Sequence, residues 1–129
     1  MDASRGLIVF AHGSRDARWR EPVEAVARRA AELDPRLGVR CAYLELVPPT
    51  LPSAAIELIA GGARSICVVP LFLGMGKHLR EDLPQLLAQL RAAHPAVAFS
   101  LGQAIGEAPE LIDLLARMAI RDCAGAAPE

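Results

Sequence analysis

The spacing of apolar residues changes several times along the chain, and each change marks a predicted element. Residues 7–11 are an unbroken apolar run, the pattern of a short strand buried on both faces. From about Trp19 to Leu33, Val23, Val26, Ala27 and Ala30 recur at helical spacing, with Glu24, Arg28 and Arg29 on the opposite side, and Asp34-Pro35 ends this helix. Residues 39–46 read as a second strand, richer in polar residues and so suited to a sheet edge. Pro48-Pro49 breaks the chain. Thr50 or Ser53 then caps a helix that runs to about Ala60 and closes at Gly61-Gly62. Residues 65–71 form a third strand, with Pro70 expected near its end. Leu79, Leu83, Leu86, Leu87 and Leu90 make the stripe of a helix over about 77–93. Pro84 fits it best if the regular part begins near Asp82. Residues 97–101 are a fourth strand. Pro109 opens a last helix to about Arg121, and the tail 124–129 is expected to fray.

Strict alternation of strand and helix predicts an α/β fold, a three-layer sandwich around a four-stranded parallel sheet with right-handed crossovers. The simplest strand order is 2-1-3-4. No linker or low-complexity stretch divides the chain, so residues 1–129 are read as one domain with its core over about 6–121.

Composition narrows the function classes. With 53% hydrophobic residues but only 4% aromatics, the core must be built from aliphatic side chains. A net charge of −1 argues against bulk attraction to nucleic acid or an anionic membrane, so any anion site must be local. Cys41, Cys67 and Cys123 form no CxxC pair and are expected to be free, reduced thiols. No signal-peptide pattern and no run approaching the ~20 apolar residues of a membrane span are present, so a cytoplasmic location is expected.

The candidate chemistry lies after strands 1 and 3. Strand 1 runs into Ala11-His12-Gly13-Ser14-Arg15, and strand 3 into Leu73-Gly74-Met75-Gly76-Lys77-His78. In open α/β sheets ligands bind beyond the carboxyl ends of the strands, where the strand order reverses. With order 2-1-3-4, strands 1 and 3 are neighbours ~4.8 Å apart at that point. His12 and His78 are therefore candidate metal ligands and proton acceptors. Glu45, at the end of strand 2, is a third ligand, a carboxylate that holds a histidine tautomer, or a solvated strand-end acid. Asp82, four residues after His78, either orients it or complements the helix start. Ser14, Arg15, Arg18, Lys77 and Arg80 collect at the same edge, with Arg20, and suit a polyanionic ligand. Gly74 and Gly76 let a bulky ligand approach the backbone. His94 reads as a helix-closing residue. No nucleotide phosphate loop, nucleophile elbow or closed zinc-site spacing occurs.

At these residues the chain resembles the short, single-domain form of the class II tetrapyrrole chelatases, the sirohydrochlorin chelatases of the CbiX/SirB kind. The resemblance rests on Ala11–Arg15, on Ala42-Tyr-Leu-Glu-Leu46 with the prolines that follow, and on Val69–His78 with Asp82-Leu-Pro84. It implies insertion of Co²⁺, Fe²⁺ or Ni²⁺ into an acidic reduced tetrapyrrole for cobalamin, siroheme or related pathways. His12 and His78 would be the active-site histidines and Glu45 the acidic position. It implies no cofactor beyond the substrate metal. It also implies a homodimer, because longer relatives carry two such domains in one chain. The rival expectations are a non-catalytic tetrapyrrole or metal carrier and, further off, a histidine-dependent hydrolase or phosphotransferase.

Overall fold

A computed structural model describes residues 4–125. The elements follow in the order β1 (Arg5–Ala11), α1 (Ala17–Leu33), β2 (Gly38–Tyr43), α2 (Leu51–Ala60), β3 (Ser65–Pro70), α3 (Lys77–Ala93), β4 (Ala98–Leu101), a single 3-10 turn (Ile105–Glu107) and α4 (Pro109–Ala124). All strands are parallel, in the order β2-β1-β3-β4. The predicted sheet therefore forms, with β1 and β3 side by side: Phe10 of β1 is in register with Pro70 of β3.

Alternate strand residues settle which helices cover which face. Ile8, Phe10, Ala42, Ile66, Val68 and Phe99 point to one face and pack under α2 (Leu51, Ala54, Ala55, Leu58) and α3 (Leu83, Leu87, Leu90). The opposite face of β1 and β2 is covered by α1. Among the described residues every buried side chain of this core is apolar.

Three expectations need correction. Strand 2 ends at Tyr43, not Leu46, because the chain turns at Leu44. Leu46 has a φ of 74°, incompatible with a strand. Helix α3 is regular from Lys77, so Pro84 lies inside it rather than in its first turn. Pro84 is exposed, and the stripe behind it (Leu83, Leu87, Leu90) is buried and holds the helix on the sheet despite the missing N–H. Finally, α4 runs on to Ala124 without lying on the sheet: none of its residues is buried, and its main contact is the 3-10 turn before it. The rest of the tail expected to fray, residues 126–129, lies outside the described residues.

Candidate functional site

The carboxyl ends of β1 and β3 open into two loops built in different ways. After β1 the loop is tightly tied. Ser14 Oγ accepts a hydrogen bond from the Asp16 N–H (3.1 Å), and Asp16, the N-cap of α1, accepts from the Arg18 N–H (3.0 Å). The Arg20 guanidinium donates to the Ser14 carbonyl at 2.7 Å. Gly13, at φ 95°, presses against the Glu45 carbonyl so closely that a Cβ would collide with it, which only glycine permits. The Glu45 N–H in turn donates to the His12 carbonyl at 3.0 Å. His12 and Glu45 are thus joined through their backbones, while both side chains stay exposed.

After β3 the loop is open. Gly74 and Gly76 have empty space where a Cβ would stand. Gly76 caps α3, whose first two residues are Lys77 and His78, both exposed. Phe72 turns back into the core, and its ring stands edge-on to His12 with centroids 4.5 Å apart. The β3 loop thereby touches the β1 histidine directly.

The candidate basic residues are placed unevenly. Arg18 pairs with Asp16 (3.1 Å) and lies along the surface. Arg80 is held by the Glu107 carboxylate (2.9 Å) and the Met75 carbonyl (3.2 Å), so it braces the β3 loop against the 3-10 turn. Arg15 and Lys77 are exposed and make no side-chain hydrogen bond or ion pair among the described contacts. Neither α1 nor α3 has an acid in its first turn, while both carry cations there. Cations at a helix N-terminus oppose its dipole by ~0.3–1 kcal/mol, so these residues do not serve helix stability. Asp82 lies one turn after His78 with no hydrogen bond between them. No three His, Cys, Asp or Glu side chains gather as a metal-holding group among the described residues, so Glu45 does not join His12 and His78 within one protomer.

Two neighbours were not foreseen. Trp19, the chain's single tryptophan, is 74% exposed and lines a hollow of about 250 Å³ with His12, Arg20, Tyr43 and Leu71. Its only sequence signal is its position just after the His12 loop. Tyr43 forms the floor; burial pushes its phenol up to about 12, with Cys41 and Glu24 adding to the shift. The phenol is therefore neutral near pH 7.

The CbiX family model matches residues 6–121, nearly the whole chain. The chain belongs to the CbiX family. It is 30% identical over 110 residues to the sirohydrochlorin cobaltochelatase of Sulfolobus acidocaldarius, a match covering 85% of each chain. It is 37% identical over 81 residues to that of Methanococcus aeolicus, where the match spans 63% of this chain and 57% of the relative. The structure of a cobalamin (vitamin B12) biosynthesis CbiX protein from Marinobacter aquaeolei VT8 superposes with a TM-score of 0.82 at 34% identity, covering 95% of this chain and 99% of that one. The cobalt complex of the sirohydrochlorin chelatase SirB from Bacillus subtilis subspecies spizizenii superposes at 0.76 with 26% identity. There the match covers 92% of this chain but only 50% of SirB.

Proposed function

We propose that this CbiX-family chain inserts a divalent metal, Co²⁺ or Fe²⁺, into sirohydrochlorin, with His12 and His78 handling the metal and the pyrrole protons. The observation that carries this is the pairing of β1 with β3, which sets the loops leading to His12 and His78 side by side, with Arg15 and Lys77 exposed there and without a side-chain partner among the described contacts. The names of the relatives, cobaltochelatases and a cobalt-bound SirB, support the same reaction.

The chemistry is a balanced exchange: M²⁺ enters, and two pyrrole N–H protons leave. Imidazole suits both halves. It binds cobalt or iron as a neutral ligand and accepts protons near neutral pH. Few protein ligands are an advantage here, because the macrocycle must win the metal. Arg15 and Lys77 hold peripheral carboxylates, with Ser14, Arg18 and Arg80 shaping the loops around them. Gly74 and Gly76 leave room for the ring. In this reading the working form is a homodimer, with a second copy standing where SirB, of which the match covers 50%, has its other half. No nucleotide or redox cofactor enters the exchange. Among the described residues no helix is long and apolar enough to cross a membrane, and a biosynthetic role in the cytoplasm fits that.

The deciding experiment is anaerobic single-turnover insertion into sirohydrochlorin, followed by the absorbance change of the macrocycle for each metal in turn. His12→Ala and His78→Ala are each expected to slow insertion at least a hundredfold, the usual scale for one acid–base group. Wild-type rates in both variants, or no acceleration by the native protein over free metal, would sink the proposal; the latter result is that of a carrier.

A further inference from the structure

The apolar stripe of α1 runs past the end of the sheet it covers. Val23, Ala27 and Ala30 share one face of the helix and are buried or half-buried where α1 lies on β1 and β2. Trp19, four residues before Val23, continues that stripe. Side chains on a helix lean towards its N-terminus, and α1 begins at the carboxyl edge of the sheet, so the indole is carried beyond the strands. There it is 74% exposed, the most exposed large apolar side chain among the described residues, although it occupies a core position of the stripe.

A single exposed apolar residue needs no explanation by itself. Trp19, however, shares its hollow of about 250 Å³ with His12 and with Arg20. Arg20 is half-buried, and one of its N–H groups is committed to the Ser14 carbonyl at 2.7 Å. A guanidinium carries five N–H donors. Arg20 makes no other side-chain hydrogen bond or ion pair among the described contacts, and the nearby Asp16 gives its carboxylate to Arg18. The Ser14 contact thus fixes a guanidinium in the hollow and leaves most of its fork unused. The Tyr43 phenol on the floor is neutral near pH 7 and adds no competing charge. The hollow is smaller than the ~300–1,000 Å³ of pockets that enclose a whole small molecule. It suits one edge of a larger flat ligand that carries an anionic arm beside an aromatic face.

We propose that Trp19 and Arg20 form a subsite for one edge of the tetrapyrrole, the indole stacking on a ring and the guanidinium taking the carboxylate beside it. The subsite rests on the metal-insertion reading above and adds two positioning residues to it. Because His12 lines the same hollow, a macrocycle gripped by this edge is held against the imidazole that takes its protons. Neither Trp19 nor Arg20 moves a proton or binds the metal. Their work is complete before metal enters.

The grip is therefore tested on the metal-free ligand, by anaerobic titration of the full chain with sirohydrochlorin, read by macrocycle absorbance. Trp19→Ala is expected to weaken binding about fivefold to tenfold, the scale of one aromatic stack, and Trp19→Phe to recover most of the loss. In metal insertion the same factor falls on KM while kcat stays within about twofold. Arg20→Gln is expected to weaken binding by a similar factor and to flatten its dependence on salt, whereas Trp19→Ala leaves that dependence unchanged. Trp19 is the only tryptophan, so its emission reports the contact and is expected to vanish in step with the absorbance change. Its exposure means that Trp19→Ala keeps the wild-type circular dichroism and unfolding midpoint. Wild-type affinity in Trp19→Ala, equal losses in Trp19→Ala and Trp19→Phe, or an emission that survives saturation overturns the subsite and leaves insertion by His12 and His78 standing. An unchanged salt dependence in Arg20→Gln overturns the part given to the guanidinium. A native protein that binds no sirohydrochlorin overturns both the subsite and the reading it rests on.

Discussion

The Phe72 ring meets the His12 imidazole edge-on, with centroids 4.5 Å apart and planes at 79°. Phe72 is 4% exposed and also stands edge-on to Phe10, so the histidine rests on a rigid apolar post rooted in the core. The post fixes the imidazole without consuming either ring nitrogen in a hydrogen bond. Phe72→Leu keeps the site apolar but removes the post. It is expected to cost about 1–2 kcal/mol of stability, within the range of core substitutions, and to lower the insertion rate about tenfold. Phe10→Leu, one layer deeper, is expected to cost similar stability with a smaller loss of rate. Equal rates for the wild type and Phe72→Leu would show that the ring contact serves packing alone.

Gly13 sets the spacing between the β1 and β2 loops. Its φ of 95° strains any other residue, and a Cβ there collides with the Glu45 carbonyl and comes within 3.1 Å of the Tyr43 Cβ. Strain and collision together are expected to make Gly13→Ala cost more than about 2 kcal/mol. Gly62 gives the comparison, with φ 105° but open space around it, so Gly62→Ala carries strain alone and costs about half as much. Denaturant unfolding of the two variants measures the difference. Equal losses would mean that the two loops move apart freely.

Much of this molecule can be read along the chain, because strand and helix periods differ and the runs are short and cleanly broken. The β1–β3 adjacency rests on taking the simplest strand order, 2-1-3-4, which is the order the sheet has. What local pattern does not carry is the partner of a face. The stripe of α4 predicts burial but not against which surface. Leu44-Glu45-Leu46 alternates like a strand, yet the tight approach of Gly13 to Glu45 turns the chain there. Pro84 reads as a helix start because its exposure, and the buried leucines that hold α3 despite it, are tertiary facts. Phe72 reads as loop apolar content, since its contact with His12 spans sixty residues. Arg80 was legible as a cation at the site edge, but its engagement with Glu107 depends on where the 3-10 turn falls.

Gly74 separates the needs of folding from those of ligand access. Its backbone is not in the left-handed region, and nothing lies within 4 Å of where a Cβ would be, so Gly74→Ala meets no strain and no clash. Replacing glycine by alanine at a compatible exposed position stabilises by ~0.4–1 kcal/mol through the unfolded state. The variant is therefore expected to unfold at slightly higher denaturant. If the flat ring approaches this loop, the added methyl raises KM for the tetrapyrrole several-fold. An unchanged KM would place the ring elsewhere along the edge.

Tyr43 gives a pH dependence that can be followed in one signal, because it is the only tyrosine in the chain. Burial raises its phenol from 10.0 to about 12. Between those values the unfolded chain releases the phenolic proton while the folded chain retains it. The unfolded state then binds fewer protons, and stability falls as pH rises through this window. Phenolate absorbance of the folded protein is expected to stay low at pH 10 and to rise near pH 12 or at unfolding, whichever comes first. Tyr43→Phe removes this group's share of the alkaline loss, so its unfolding midpoint should decline less steeply than the wild type's over the same window. A phenolate signal near pH 10 in the folded protein would place Tyr43 in water rather than on the floor of the His12 hollow.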